Sequence, residues 1–201
     1  MQYVVSGLEK YADNERIFCI GGHTWPVNIE ENGSDVYFTK RTSSYGWATW
    51  KKKWNCYEED YYVLSHIKKD PYLQEQYNIW GKDLEIYLHG NLDGICDAWD
   101  VFWSLTVLKH DGYCVAPYLS LIENIGYDGT GAHCGVGQDD VIMRDLQDTS
   151  YEFVFPDVIE IKKSTEEQFA EHFGWTSVEA KNKCYYDILF QWMQLHLKGK
   201  Q

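Results

Sequence analysis

The stretch SSYGWATWKKKW, Ser43 to Trp54, holds three of the chain's nine tryptophans. A tryptophan side chain buries roughly 150–250 Å² and keeps one N–H that needs a partner. Such a segment must either be folded into a core or be spread as the wall of a pocket. Trp47, Trp50 and Trp54 recur at i, i+3 and i+7, the spacing of one face of a helix beginning near Gly46. On that reading Trp50 and Trp54 enter the core, while Trp47, at the turn, serves either core or pocket. The lysine run Lys51–Lys53 reads as a solvated face.

Around this segment the pattern is mixed. Val4, Val5, Leu8 and Tyr11 predict a helix over 2–12. RIFCIGG reads as a short buried strand opening into a Gly-Gly turn, VYFTK (Val36 to Lys40) as the next strand, and YCVAP as a strand ended by Pro117. Between the first two, HTWPVNIEENGSD is loop. Glu58 to about Asn91 is helical in pattern, with Pro71 opening a new element. DAWDVFWSLTVLKHDG predicts a strong helix, with Asp97 as N-cap, an apolar face of Trp99, Phe102, Trp103, Thr106 and Val107, and Gly112 closing it. FVFPDVIEI reads as extended chain, and helices are expected over 164–173 and 177–197. The fold class is α/β: a few-stranded mixed sheet with flanking helices, too few strands for a complete doubly wound sheet.

Composition narrows the function classes. At 201 residues the length fits one domain. The net charge of −13 argues against a nucleic-acid partner or docking on anionic lipid, both of which need basic patches. No apolar run approaches the roughly 20 residues of a membrane span. The first residues lack the basic start of a signal peptide. The six cysteines stand singly, without a CxxC pair, as in a cytoplasmic protein with buried thiols. Aromatics make up 16% of the chain, a composition that suits an aromatic core or a sugar-binding surface, where pyranose faces stack on rings.

Three segments carry the chemistry: SSYGWATW, DAWDVFW and NIGYDGTGAHC. In this order and spacing they resemble the C-terminal, acceptor-side half of bacterial family-2-like glycosyltransferases of the GT-A fold. The likeness runs from residue 1 to about 135, leaving 136–201 as a mainly helical extension. A more distant resemblance is to the Golgi N-acetylglucosaminyltransferases. The resemblance implies transfer of a sugar from a nucleotide-sugar donor to a glycan acceptor hydroxyl with inversion at the anomeric carbon. That reaction needs a carboxylate base, and Asp100 is the matching residue, with Asp97 second. Both carboxylates also suit a helix N-terminus without any function. Gly46 would let backbone approach a sugar, Trp47 and Trp99 would offer ring faces, and the amides of Gly126, Gly129 and Gly131 would face a diphosphate. His133 would ligate a divalent metal (Mn or Mg) or bond a phosphate, whereas Asn124 and Asp128 suit the turns themselves.

Family members bind the donor through a metal held by a DxD-like motif after a strand, located just before the helix with which this chain begins. The adjacent acidic pairs Glu59-Asp60 and Asp139-Asp140 lie in the wrong segments to replace it. The expectation is therefore a fragment or split form of the enzyme that transfers sugar poorly on its own. The alternatives are a non-catalytic carbohydrate-binding or partner module and an unrelated aromatic-rich interaction domain. With a donor half missing, Ile17–Ile20 is expected to be an edge strand with an unpaired flank, prone to self-association.

Overall fold

Three short strands carry the fold. In the computed structural model, which describes residues 2–127, 141–145 and 151–173, β1 (Ile17–Ile20), β2 (Val36–Thr39) and β3 (Tyr113–Pro117) form a mixed sheet of order β1-β3-β2. β1 runs parallel to β3, and β2 antiparallel to it. The helices are α1 (Gln2–Lys10), α2 (Lys51–Trp54), α3 (Val63–Ile67), α4 (Pro71–Trp80), α5 (Leu84–Leu92), α6 (Trp99–Lys109) and α7 (Lys163–Phe173). The chain is thus mixed α/β with a small sheet and flanking helices. No helix among the described residues is long and apolar enough to cross a membrane.

The sheet is buried on both faces, as the continuous apolar strands require. Val36, Phe38 and Val115 face one side with Ile17 and Ile20, against Tyr3 and Tyr11 from α1 and the segment after it. Tyr37 and Ala116 face the other side, where α3 to α7 gather. β1 breaks the alternation: its register with β3 slips between Ile17 and Cys19, and Phe18 and Cys19 both join Trp103 and Val107 of α6. A bulge re-aims side chains in this way.

α6 is the central helix. Every residue from Val101 to Leu108 is buried, so it has no polar face, as expected of a helix packed on all sides. Its end is a Schellman turn: Gly112 N–H reaches Val107 O at 2.8 Å, and Asp111 N–H reaches Leu108 O at 3.1 Å. The left-handed residue is Asp111 (φ 51°), not the expected glycine. Gly112 is required for packing, since a Cβ there would lie 2.5 Å from the Phe18 ring. The Asp111 carboxylate accepts from Lys40 and from the Tyr72 hydroxyl, tying the turn to β2 and α4.

Other expectations need correction. Asp97 does not cap α6: the N-cap is Ala98, with no side-chain cap bond. Asn91 fixes that peptide instead, accepting from Ala98 N–H at 2.8 Å and donating to Ala98 O at 3.0 Å. Asp70 does cap α4, accepting from Tyr72 and Leu73 N–H ahead of Pro71 at the helix start. The flank of β1 is not open. Ile20 and Ala48 exchange two backbone bonds of 2.9 Å, and Thr49 Oγ1 donates to Phe18 O at 2.6 Å. Nor is Lys53 solvated: it is buried, its Nζ donates to Glu15 O, and it sits 4.5 Å over the Phe18 ring.

The described part of 136–201 belongs to the same packing. Phe169 and Phe173 of α7 are buried among Tyr37, Trp80 and Leu84, and Phe153 and Phe155 pack on Tyr3. Arg41, just after β2, makes a buried two-pronged pair with Asp83 (2.7 Å on each prong) and lies 4.2 Å over the Phe173 ring. The helix expected over 177–197 lies outside the described residues.

Candidate functional site

The segment that begins at Gly46 is not one long helix. Ala48 pairs with Ile20, Trp50 is still extended (φ −90°, ψ 147°), and helix starts only at Lys51. The three tryptophans therefore divide differently from the i, i+3, i+7 expectation. Trp50 turns to the α1 side, where its Nε1 donates to Leu8 O at 3.3 Å. Trp47 and Trp54 come together on the other side, with ring centroids 5.9 Å apart. Trp54, expected in the core, is 38% exposed.

Around that pair an aromatic wall assembles. Trp99 stacks on Trp47 (5.7 Å, 28°) and meets Trp54 edge-on (6.1 Å, 72°). Tyr57 lies nearly parallel to Trp54 (4.7 Å, 7°). The buried Trp103 supports Trp47 and Trp54 from below, at 5.7 and 5.3 Å. Trp99, expected on the apolar face of α6, is 39% exposed because it is the first residue of the helix, before the buried stretch. Trp47, Ala48, Thr49 and Trp54 line an open cleft of about 420 Å³.

The carboxylates lie along this wall. Asp100, second residue of α6, is half-buried and accepts a 2.9 Å hydrogen bond from Ser44 Oγ. The helix N-terminus favours its negative charge. Asp97 is exposed one turn earlier. Glu59 accepts from the Tyr57 hydroxyl at 3.1 Å. Burial, and then the bond to Glu59, push the Tyr57 hydroxyl up to about 12, with Asp100 and Asp97 adding to the shift, so it remains a donor at neutral pH. Burial and the neighbouring Asp97 likewise raise the Cys96 thiol.

Gly46 (φ 56°) has a structural reason of its own: a Cβ there would lie 2.5 Å from Ile122 Cγ1. Gly22 is equally confined, its Cβ position 2.8 Å from Gly46 O. Leu121 N–H donates to Gly22 O, so the loop after β3 is drawn against the loop after β1. Gly126 N–H donates to Asn124 Oδ1 at 3.0 Å, closing a turn that leads into a single 3₁₀ turn, Ile125–Tyr127. Asn124 thus holds the turn, and the Gly126 amide is engaged within it. Asp128, Gly129, Gly131 and His133 lie outside the described residues.

Two of the three segments singled out in the sequence therefore meet. Ser44 touches Asp100 across 56 positions and Trp47 stacks on Trp99, while Gly46 seats against Ile122, two residues ahead of the third segment. Sequence reasoning missed Ser44, Trp54 and Tyr57 as members of the site. For Tyr57 the available signal was its i+3 spacing from Trp54, and for Ser44 its place in SSYGWATW.

A metal does not fit the described residues. No group of three His, Cys, Asp or Glu side chains among them converges to hold one. Of the acidic pair Glu59-Asp60, Glu59 is engaged by Tyr57, while Asp60 accepts from Tyr62 N–H and lies 3.4 Å from His66. No described strand is followed by an acidic pair: Gly21, Lys40 and Tyr118 are the next residues after β1, β2 and β3. Comparison of the chain with protein-family models, curated proteins and solved structures finds no match.

Proposed function

We propose that the chain forms the acceptor side of an inverting glycosyltransferase of GT-A type, with Asp100 as the base and Trp47, Trp54 and Trp99 as the wall that seats the sugar. The observation that carries this reading is the meeting of the half-exposed tryptophans with a half-buried carboxylate oriented by Ser44. Ring faces suit the CH faces of a pyranose, and the nearby Tyr57 hydroxyl and carboxylates suit its hydroxyl groups.

In the proposed reaction the Asp100 carboxylate takes the proton of an acceptor hydroxyl as that oxygen attacks the anomeric carbon. The bond to the nucleoside diphosphate breaks with its electron pair, and the new glycosidic bond forms with inverted configuration. The proton then leaves Asp100 to solvent. Ser44 holds the carboxylate in one orientation, and the tryptophans hold the acceptor. No step is routed through a metal.

A carbohydrate-binding module without catalysis is the second reading, favoured by the lack, among the described residues, of an acidic pair after any strand. Asp100→Asn separates the two. In a transfer assay with nucleotide-sugars, the first reading expects a loss of at least about 100-fold, the usual worth of a general base, with glycan binding retained. Equal transfer by both forms would remove Asp100 as the base; binding of both nucleotide-sugar and glycan without transfer by either form would favour the module.

A further inference from the structure

The bulge in β1 has brought two distant thiols together. Cys19 and Cys114 are register partners on β1 and β3, and their Sγ atoms lie 2.8 Å apart across 95 positions. Both are buried, at 1% and 3% exposure, and neither is in a disulfide. Adjacent strands run about 4.8 Å apart, inside the Cα separation of roughly 4.4–6.8 Å that a disulfide spans. An S–S bond of about 2.05 Å then needs an approach of only about 0.8 Å. We propose that Cys19 and Cys114 form an intrachain disulfide when the chain folds in an oxidising environment.

The oxidant is a low-molecular-weight disulfide of the glutathione class. One cysteine, as thiolate, attacks a sulfur of the oxidant; that S–S bond breaks and one small thiol leaves. The second cysteine then attacks the protein sulfur of the mixed disulfide and displaces the second small thiol. The two protein thiols together lose two electrons and two protons, and the oxidant is reduced to two thiols, which take up both. Burial, reinforced by Cys19 beside it, holds the Cys114 thiol well above its usual range. Exchange in the closed sheet is therefore slow, and the bond forms as β1 and β3 come together during folding. Both sulfurs lie in the cluster with Trp103 and Val107, on which Trp47 and Tyr57 pack. The bond fastens the floor beneath the aromatic wall.

The test is to refold the reduced chain in a glutathione redox buffer, alkylate the remaining thiols and map unreduced peptides by mass spectrometry. The peptides of Cys19 and Cys114 are expected to be linked, with the other four of the six cysteines alkylated. Closure of so long a loop is expected to raise Tm by about 10 °C over the reduced chain, a difference lost in Cys114→Ser. Recovery of Cys19 and Cys114 both alkylated, or linkage of either one to another cysteine, would overturn the proposal. The peptide map is read on the wild-type chain, so it decides even where Cys114→Ser does not fold.

Discussion

Gly46 shows how one residue can join two loops. Its positive φ, and Ile122 Cγ1 only 2.5 Å from where a Cβ would stand, leave no room for a side chain, so the loop that carries Ser44 and Trp47 is pinned by the loop that leads to Asn124. Gly46→Ala is expected to destabilise the fold by about 2 kcal/mol, from overpacking together with the left-handed backbone. Urea denaturation measures the loss, and a double mutant with Ile122→Ala should recover part of it. A loss below about 0.5 kcal/mol, the range of ordinary surface changes, would mean that the two loops are not locked together. From the sequence Gly46 was legible as a special backbone position, but what it approaches was not. Its neighbour lies 76 residues away, and local pattern carries no information about so distant a contact.

At the scale of elements, regular local patterns were read correctly where local forces decide. α1, α4, α6, α7 and the three strands lie where apolar spacing, Pro71 and Pro117 place them. The misreading of Trp47–Trp54 has one cause. Ala48 pairs with Ile20, and this pairing holds Trp47 to Trp50 out of the helix that their spacing suggested. Asp97 failed as a cap for a similar reason, since Asn91 from α5 already holds the first peptide of α6. The Ala48 bridge also covers the flank of β1, which bears on self-association. Ala48→Pro removes the N–H that reaches Ile20 O and reopens that flank. Light scattering at high concentration should show a larger species for Ala48→Pro than for the wild-type chain. Equal scattering would show that the bridge does not protect the edge.

The whole molecule combines a strongly acidic chain with, among the described residues, several buried cations and two histidines of lowered pKa. Burial first, and then Lys109, lower the His110 pKa; burial first, and then Arg41, lower that of His172. Each group thus binds its proton less readily in the folded than in the unfolded state, where the pKa is about 6.5. The unfolded chain takes up protons first as pH falls through that value, so stability drops below about pH 6.5 and is fully held above it. Tm is expected to fall between pH 7.5 and 5.5, above the range where carboxylates titrate, and to fall less in the His110→Gln, His172→Gln double mutant. An unchanged slope in that variant would place the pH dependence elsewhere.

The same scale decides what the aromatic wall is for. Its tryptophans and their company at Asp100 come from segments that the sequence marked, but its exposed face, with Tyr57, emerges only from the fold. Titrating the chain with monosaccharides and oligosaccharides while following tryptophan fluorescence tests the central claim most directly. A saturable change is predicted for at least one glycan, weakened roughly tenfold in Trp54→Ala, about what one lost aromatic contact is worth. Fluorescence that stays flat across the panel, with the wild-type chain folded, would contradict both the acceptor site and the carbohydrate-binding alternative.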